Sequence, residues 1–343
     1  MKDLRILKDK LIRMIFLFCG VIFIITITRT LDITYCVSGI IDILLPVLLI
    51  SRLLLNYDKK ALSVIKKYLT FLIILNFILI LVKPDGIYHP EDLNNGIYLL
   101  GDKNKVIEFM LPSMAIILYD QTLKVWKKLI LYAICQASYY LMDSWTGVFV
   151  FGAFILLIEG SFAIPMLKKF ISVKTALIVV SCFSFLAVSG YLTQSALMKS
   201  ISSITGRAIN FSGRGTLWMQ AIELIKKSPI IGYGVYDGVF RQFRFYTQSG
   251  IMSGFSSHNG YLRLLIEGGI MELLAYTFIF VVLAKRCSKV WEVSREVNIL
   301  AYSIVCMLIV FVMEAEYFST VFLMVIMMCW NECMKTEKLS DNR

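Results

Sequence analysis

The stretch SSHNGYLRLLIEGG, Ser256 to Gly269, begins in polar, turn-forming residues and ends inside an apolar segment that continues as the run 264–284. A run of that length and composition is enough to cross the hydrocarbon core of a bilayer, which takes roughly 17–25 residues of helix. The handover decides the fold locally: an extramembrane loop feeds a transmembrane helix, with a histidine and an asparagine at the junction. His258 is one of only two histidines in the chain. At a helix N-terminus the positive end of the helix dipole disfavours the imidazolium, and a neutral imidazole can act as a base. The plainer reading is that His258 helps to cap the helix.

Outward from this junction the same pattern repeats. Apolar runs stand near 13–30, 36–54, 67–82, 106–120, 128–143, 145–164, 174–193, 264–284, 297–313 and 317–333. The composition agrees: 58% of the 343 residues are hydrophobic and 17% charged, and the mean hydropathy is +0.74. A soluble globular chain has about 45–50% apolar residues. The expectation is an all-α integral membrane protein with about ten transmembrane helices. The first run follows a basic stretch, Met1 to Arg13, as in a signal peptide, but it is too long and ends in TITRTLD without a small-residue cleavage site. It reads as a retained first helix. The eight cysteines lie mostly in apolar segments, as at Cys19, Cys135, Cys182, Cys306 and Cys329, and read as small hydrophobes with no disulfide or metal framework.

Charge sets the orientation. Basic connections at 52–67, 123–128, 167–174 and 284–291 alternate with connections almost devoid of basic residues at 142–145 and 314–317. By the positive-inside rule both termini are cytoplasmic. The segment from Gln194 to Asn259 then falls outside, between the seventh and eighth helices, yet carries Lys199, Arg207, Arg214, Lys226, Lys227, Arg241 and Arg244 against Glu223 and Asp237. Long loops escape the topology rule, so the orientation stands. An anionic ligand at the outer surface accounts for the excess; plain solvation and contact with lipid phosphates is the alternative, preferred for Lys226 and Lys227. The chain thus divides into a seven-helix block (1–193), an extracytoplasmic loop carrying the site motifs (194–260) and a three-helix block with a cytoplasmic tail (261–343).

Within the large loop, LWMQAIELIKKSP places Trp218, Ile222 and Ile225 at helical spacing and ends at Ser228-Pro229. It reads as an amphipathic helix on the outer leaflet, with Trp218 at headgroup level. PIIGYGVYDG follows with turns at Gly232, Gly234 and Gly238; no strand-turn-helix unit surrounds the Gly-x-Gly, so it is no dinucleotide fingerprint. VFRQFRFYTQ, 239–248, interleaves Arg241 and Arg244 with aromatics, which at a membrane surface suits sugar stacking or interfacial anchoring better than nucleic acid. A second outer loop, 83–105, contains His89-Pro90-Glu91-Asp92, without a second histidine or cysteine at ligand spacing, and no metal site is expected.

Taken in order, TGRAINFSGRGTLWMQAIELIKKSPIIGYG and SSHNGYLRLLIEGGI resemble the C-terminal signature of the O-antigen polymerase and ligase superfamily, integral membrane enzymes that polymerise or attach bacterial surface polysaccharides. The matching elements are Gly213-Arg214 with Trp218, Pro229 with Gly232 and Gly234, and His258-Asn259 with Tyr261, Leu262, Glu267 and Gly268. One element departs: where many relatives have a Ser-Arg pair at the outer start of a mid-chain helix, this chain has Asp143-Ser144-Trp145. Arg207 is the first substitute for the missing arginine.

The resemblance implies a glycan donor on a polyprenyl diphosphate and transfer to an acceptor hydroxyl at the outer face of the bacterial inner membrane. The scattered carboxylates and histidines, with no metal-ligand spacing, and the basic excess lead to the expectation of no cofactor or metal. His258, Arg214 and Arg207 are the catalytic candidates, the histidine as base and the arginines on the leaving diphosphate. Asn259, Trp218, Arg241, Arg244 and Tyr261 are substrate-binding candidates. Glu267, Asp143, Glu314 and Glu316 are candidate supporting carboxylates. Arg263 and Glu267, four apart on one helix face, read as a structural pair. The expected partners are the lipid-linked oligosaccharide, membrane lipid and other polysaccharide-assembly proteins such as a flippase or chain-length regulator, with no nucleic acid. A polymerase leads; a ligase using the same donor is the near alternative, and a glycolipid flippase or other transporter, with Asp42 and Asn76 as buried polar candidates, is the reading from another class.

Overall fold

A computed structural model of the chain describes residues 9–31, 33–55, 59–88, 96–163, 172–188, 214–235 and 257–341. Among them run the helices α1 (Lys10–Thr30), α2 (Ile33–Leu55), α3 (Lys59–Val82), α4 (Val106–Leu118), α5 (Val125–Leu141), α6 (Trp145–Ala163), α7 (Val173–Val188), α8 (Arg214–Lys227), α9 (Gly260–Val290), α10 (Arg295–Met313) and α11 (Thr320–Asp341). Two short antiparallel strands, β1 (Ile97–Tyr98) and β2 (Gly101–Asp102), pair Ile97 with Asp102 and Tyr98 with Gly101. The apolar runs read from sequence fall on α1 to α7 and α9 to α11. Among the described residues five helical stretches are long and apolar enough to cross a membrane: Lys10–Thr30, Cys36–Leu54, Lys60–Val82, Gly260–Val290 and Arg295–Met313. Val106–Leu118 and Trp145–Ser161 are shorter apolar helices. The chain is a multi-pass membrane protein.

The contacts divide the chain into two compact units, each assembled from separated segments. The first comprises Met1–Leu44, Leu177–Val281 and Phe311–Tyr317. The second comprises Leu45–Ala176, Val282–Val310 and Phe318–Arg343, and is built round α4, which is buried along nearly its whole length against α3, α6 and α11. Asn76 of α3, buried in this unit, accepts from the Leu100 amide and so fastens the β1-β2 hairpin. Asp42, expected to be buried, lies exposed on α2. At the turn between α5 and α6 Asp143 adopts a left-handed backbone and accepts a hydrogen bond from the Trp145 indole at 2.8 Å. The tryptophan of the Asp143-Ser144-Trp145 run therefore ties down its own turn.

In the first unit α9 is broken. Gly269 has φ 62 and ψ −157, which interrupts the helical ladder. A backbone break at membrane depth must have its amides and carbonyls satisfied by protein. The segment Pro229–Gly234 does this: Ile270 N–H donates to the Pro229 carbonyl at 2.9 Å and Met271 N–H to Ile230 at 3.3 Å, while the carbonyls of Ile266 and Glu267 accept from Tyr233 at 2.9 Å and Gly234 at 2.7 Å. Close approach excludes side chains here. A Cβ on Gly232 would stand 2.5 Å from the Ile266 carbonyl oxygen, and one on Gly269 2.3 Å from the Ile230 carbonyl carbon. The two glycine-rich motifs of the sequence are thus the two halves of one backbone joint. The Val235 N–H donates to Thr26 of α1 at 3.0 Å, and Arg29 donates to Ser228 at 2.9 Å.

Candidate active site

Four pieces of the first unit meet round the start of α9: the start of α8, the residues before α9, its first two turns, and the connection from α10 to α11. Asn259 is the N-cap of α9; its Oδ1 accepts from the amides of Tyr261 and Leu262, both at 3.0 Å. Such a cap stabilises a helix by about 1 kcal/mol. Ser257 donates its hydroxyl to the Asn259 carbonyl at 3.0 Å, and its own carbonyl accepts from the Trp218 indole at 2.9 Å. Between these two buried residues His258 takes a left-handed backbone, φ 46. That conformation costs an ordinary residue roughly 1–2 kcal/mol, so the surroundings hold His258 in place. The cap expected of His258 is thus supplied by Asn259, and His258 directly precedes it.

Trp218 departs from expectation. It is 1% exposed, its ring packed inside the unit against protein. The buried face of α8 is Leu217, Trp218, Ala221 and Leu224, rotated from the Trp218, Ile222 and Ile225 stripe read from sequence. An indole that finds a carbonyl for its N–H can bury its whole apolar area, and Ser257 supplies that carbonyl. Trp218 therefore positions the Ser257-His258-Asn259 segment. The helix ends at Lys227, as the Ser-Pro signal predicts. Beyond it Tyr233 donates its hydroxyl to the Leu224 carbonyl, and burial raises this phenol above its ordinary value, against a lowering by Arg29.

The α10–α11 connection brings in two carboxylates that the sequence left unplaced. Arg214, the first residue of α8, donates to the Met313 carbonyl and to Glu314, the latter at 3.3 Å. Arg263, one turn into α9, donates through Nε to Glu267 at 2.8 Å and through Nη1 to Glu316 at 3.0 Å. Gly260 permits this closeness, since a Cβ there would stand 2.8 Å from the Glu316 carbonyl oxygen. Tyr317 donates its hydroxyl to Glu267 at 3.1 Å, lies 5.2 Å under the Arg263 guanidinium, and accepts from the Tyr276 hydroxyl at 3.1 Å. Tyr261 packs edge-on against Tyr276, with ring centroids 6.4 Å apart. The expected pairing of Arg263 with Glu267 is present, and Glu316 extends it into a three-residue network.

Glu272 was missed. It is 0% exposed, and neither carboxylate oxygen has a hydrogen-bond partner among the described residues. The side chain folds back over Gly268, where a Cβ would lie 2.2 Å from Glu272 Oε2. The charges of Glu267 and Arg263 act on it. The signal was visible as an acid inside the apolar run 264–284, which by itself marks a functional candidate. The Asn259 side-chain amide is a second buried polar group at the site, with no acceptor for Nδ2 among the described residues. Arg207, Arg241, Arg244 and the His89-Asp92 run lie outside the described residues. Asp143 belongs to the second unit.

Residues 130–277 match the O-antigen ligase family. Over 153 residues, 42% of this chain, the sequence is 29% identical to the exopolysaccharide production protein ExoQ of Rhizobium meliloti (strain 1021). The aligned part spans 35% of that relative's length. No solved structure matches. The matched residues include Arg214, His258, Arg263, Glu267 and Glu272, and end before Glu314 and Glu316.

Proposed function

We propose, from the O-antigen polymerase and ligase superfamily that both matches support for this chain, that it is a polysaccharide polymerase. It transfers a glycan from a polyprenyl diphosphate to a sugar hydroxyl at the outer face of the bacterial inner membrane. Ten transmembrane helices with cytoplasmic termini and a loop at 194–260 put Arg214 and His258 on that face. The observation that carries the reading is His258 held in a left-handed conformation between two buried, hydrogen-bonded residues, in the same unit as guanidinia fixed by carboxylates.

In the transfer, His258 takes the proton of the acceptor hydroxyl as its oxygen attacks the anomeric carbon. The bond from that carbon to the diphosphate oxygen breaks, and the lipid diphosphate leaves with the electron pair. General-base assistance of this kind contributes roughly 10²–10⁴ in rate. Negative charge then gathers on the diphosphate. A guanidinium about 4 Å from a phosphate charge contributes roughly 4 kcal/mol at an effective dielectric near 20, before desolvation. Arg214 spends donors on Met313 and Glu314, and the remaining N–H groups of its fork are aimed by that hold. Its pairing with Glu314 also offsets its charge, so net attraction for the diphosphate falls to Arg207, Arg241 and Arg244. No divalent ion is assigned to the step.

Purified protein supplied with lipid-diphosphate-linked repeat units tests this. A ladder of products is expected. Single transfer to an added lipid, cell-wall or protein acceptor would select the ligase, and movement of the glycolipid across the bilayer with no new glycosidic bond would select the transporter.

A further inference from the structure

Outside this site, the second unit gathers three thiols. Cys287 near the C-terminal end of α9 lies 3.6 Å from Cys329 and 3.7 Å from Cys333 of α11, sulfur to sulfur. All three sulfurs fall within 4.8 Å of one another, and all three residues are buried. Among the described residues this is the one convergent set of metal-ligand side chains. Cys329 and Cys333 stand four apart, so one helix face presents both to Cys287. Spacing along the chain hides the cluster, because Cys287 is 42 residues from Cys329.

We propose that Cys287, Cys329 and Cys333 bind a soft d10 cation, Zn²⁺ or Cu⁺. Thiolates held about 2.3 Å from zinc in tetrahedral array stand about 3.8 Å apart, close to the two spacings found here. Thiolates select these two ions over harder metals. Three ligands suit trigonal Cu⁺, or Zn²⁺ with water in the fourth position. The charge of Arg286 reaches Cys333 and is countered in part by Glu337, with which Arg286 and Lys289 both pair; Arg286 also stacks on Trp330 at 4.6 Å. The cluster adjoins the basic connection 284–291, on the side proposed to face the reducing cytoplasm, where thiols stay available to metal. A bound ion would tie the end of α9 to α11.

The test uses reduced, metal-stripped protein in detergent, titrated with Cd²⁺ as probe. One Cd²⁺ per chain is expected, with an ultraviolet thiolate-to-cadmium charge-transfer band and release of up to three protons, since thiols deprotonate on binding. Cys287→Ser, Cys329→Ser and Cys333→Ser should each weaken uptake roughly tenfold or more, while Cys306→Ser leaves it unchanged. Because a serine variant can fail to fold, a second measurement uses the wild-type chain. In a brief pulse of mild denaturant that opens the buried cluster, Cd²⁺ should slow alkylation of these three cysteines, and not of Cys182, as read by mass spectrometry. Elemental analysis of protein as isolated then distinguishes zinc from copper. Absence of the charge-transfer band, or of selective protection, in the wild-type chain would overturn the proposal.

Discussion

Arg214 and Glu314, 100 residues apart in sequence, meet at 3.3 Å between Nη2 and Oε1. Both side chains are largely buried. Two residues on, Glu316 holds Arg263 in the same way, so one short connection grips the first residue of α8 and the first turns of α9. Removing one member of a buried pair strands the other charge, at about 3–5 kcal/mol, whereas replacing both by apolar groups is often neutral.

That asymmetry separates the structural role of Arg214 from a catalytic one. Arg214→Ala and Arg214→Lys should both lower membrane abundance and product formation, because a point charge cannot reproduce the planar fork. The double variant Arg214→Met, Glu314→Leu should recover abundance without recovering polymer. Recovery of both, measured by immunoblot beside product ladders, would reduce Arg214 to a strut.

His258 sits at φ 46, a conformation that asparagine tolerates better than alanine. His258→Asn is therefore the informative variant. It should insert and accumulate like the wild type while losing roughly 10²–10⁴ of the transfer rate. His258→Ala should lose the same rate with somewhat lower thermal stability. Ladders of normal length and amount in His258→Asn would remove the imidazole from the mechanism.

The joint between Pro229–Gly234 and α9 predicts a sharp contrast between glycines. Gly269→Ala would force a Cβ to 2.3 Å from the Ile230 carbonyl at a positive φ. Backbone strain of about 1–3 kcal/mol and the loss of neighbouring hydrogen bonds at about 1 kcal/mol each should lower melting temperature and abundance. Gly20→Ala in α1 meets nothing within 4 Å and should be neutral or slightly stabilising. Equal behaviour of the two variants in a detergent melting assay would contradict the joint.

Transfer is expected to persist in excess EDTA and to gain little from magnesium or manganese. Glu314 and Glu316 are already committed to arginines, and a cation there would compete with those guanidinia. The measurement belongs in a Cys333→Ser background, so that a metal at the thiol cluster does not enter. Complete loss in chelator, restored by one divalent ion, would reassign these carboxylates as ligands.

Much of the architecture was legible from local pattern. Apolar runs of sufficient length specify helices because unsatisfied backbone is intolerable in hydrocarbon, and α1 to α7 and α9 to α11 fall on the runs read from sequence. Ser228-Pro229 ended α8, and the polar His258-Asn259 junction announced a capped helix start, with Asn259 and not His258 supplying the side-chain oxygen. These are short-range effects, decided within a turn or two of chain.

What only the tertiary structure decided is long-range. The sequence could show Gly232 and Gly234 as turn formers, but not that the segment Pro229–Gly234 satisfies the backbone groups of α9 on either side of the break at Gly269. It showed an amphipathic α8 but not which face was buried, because Trp218 needed the Ser257 carbonyl before its indole could leave water. Glu314, Glu316 and Glu272 carry no periodicity that says which charge each will meet, and the sulfurs of Cys287, Cys329 and Cys333 converge only when α9 and α11 pack together. Periodicity is a property of a segment. Partnership is set by how distant segments pack, and at this site packing chose the partners.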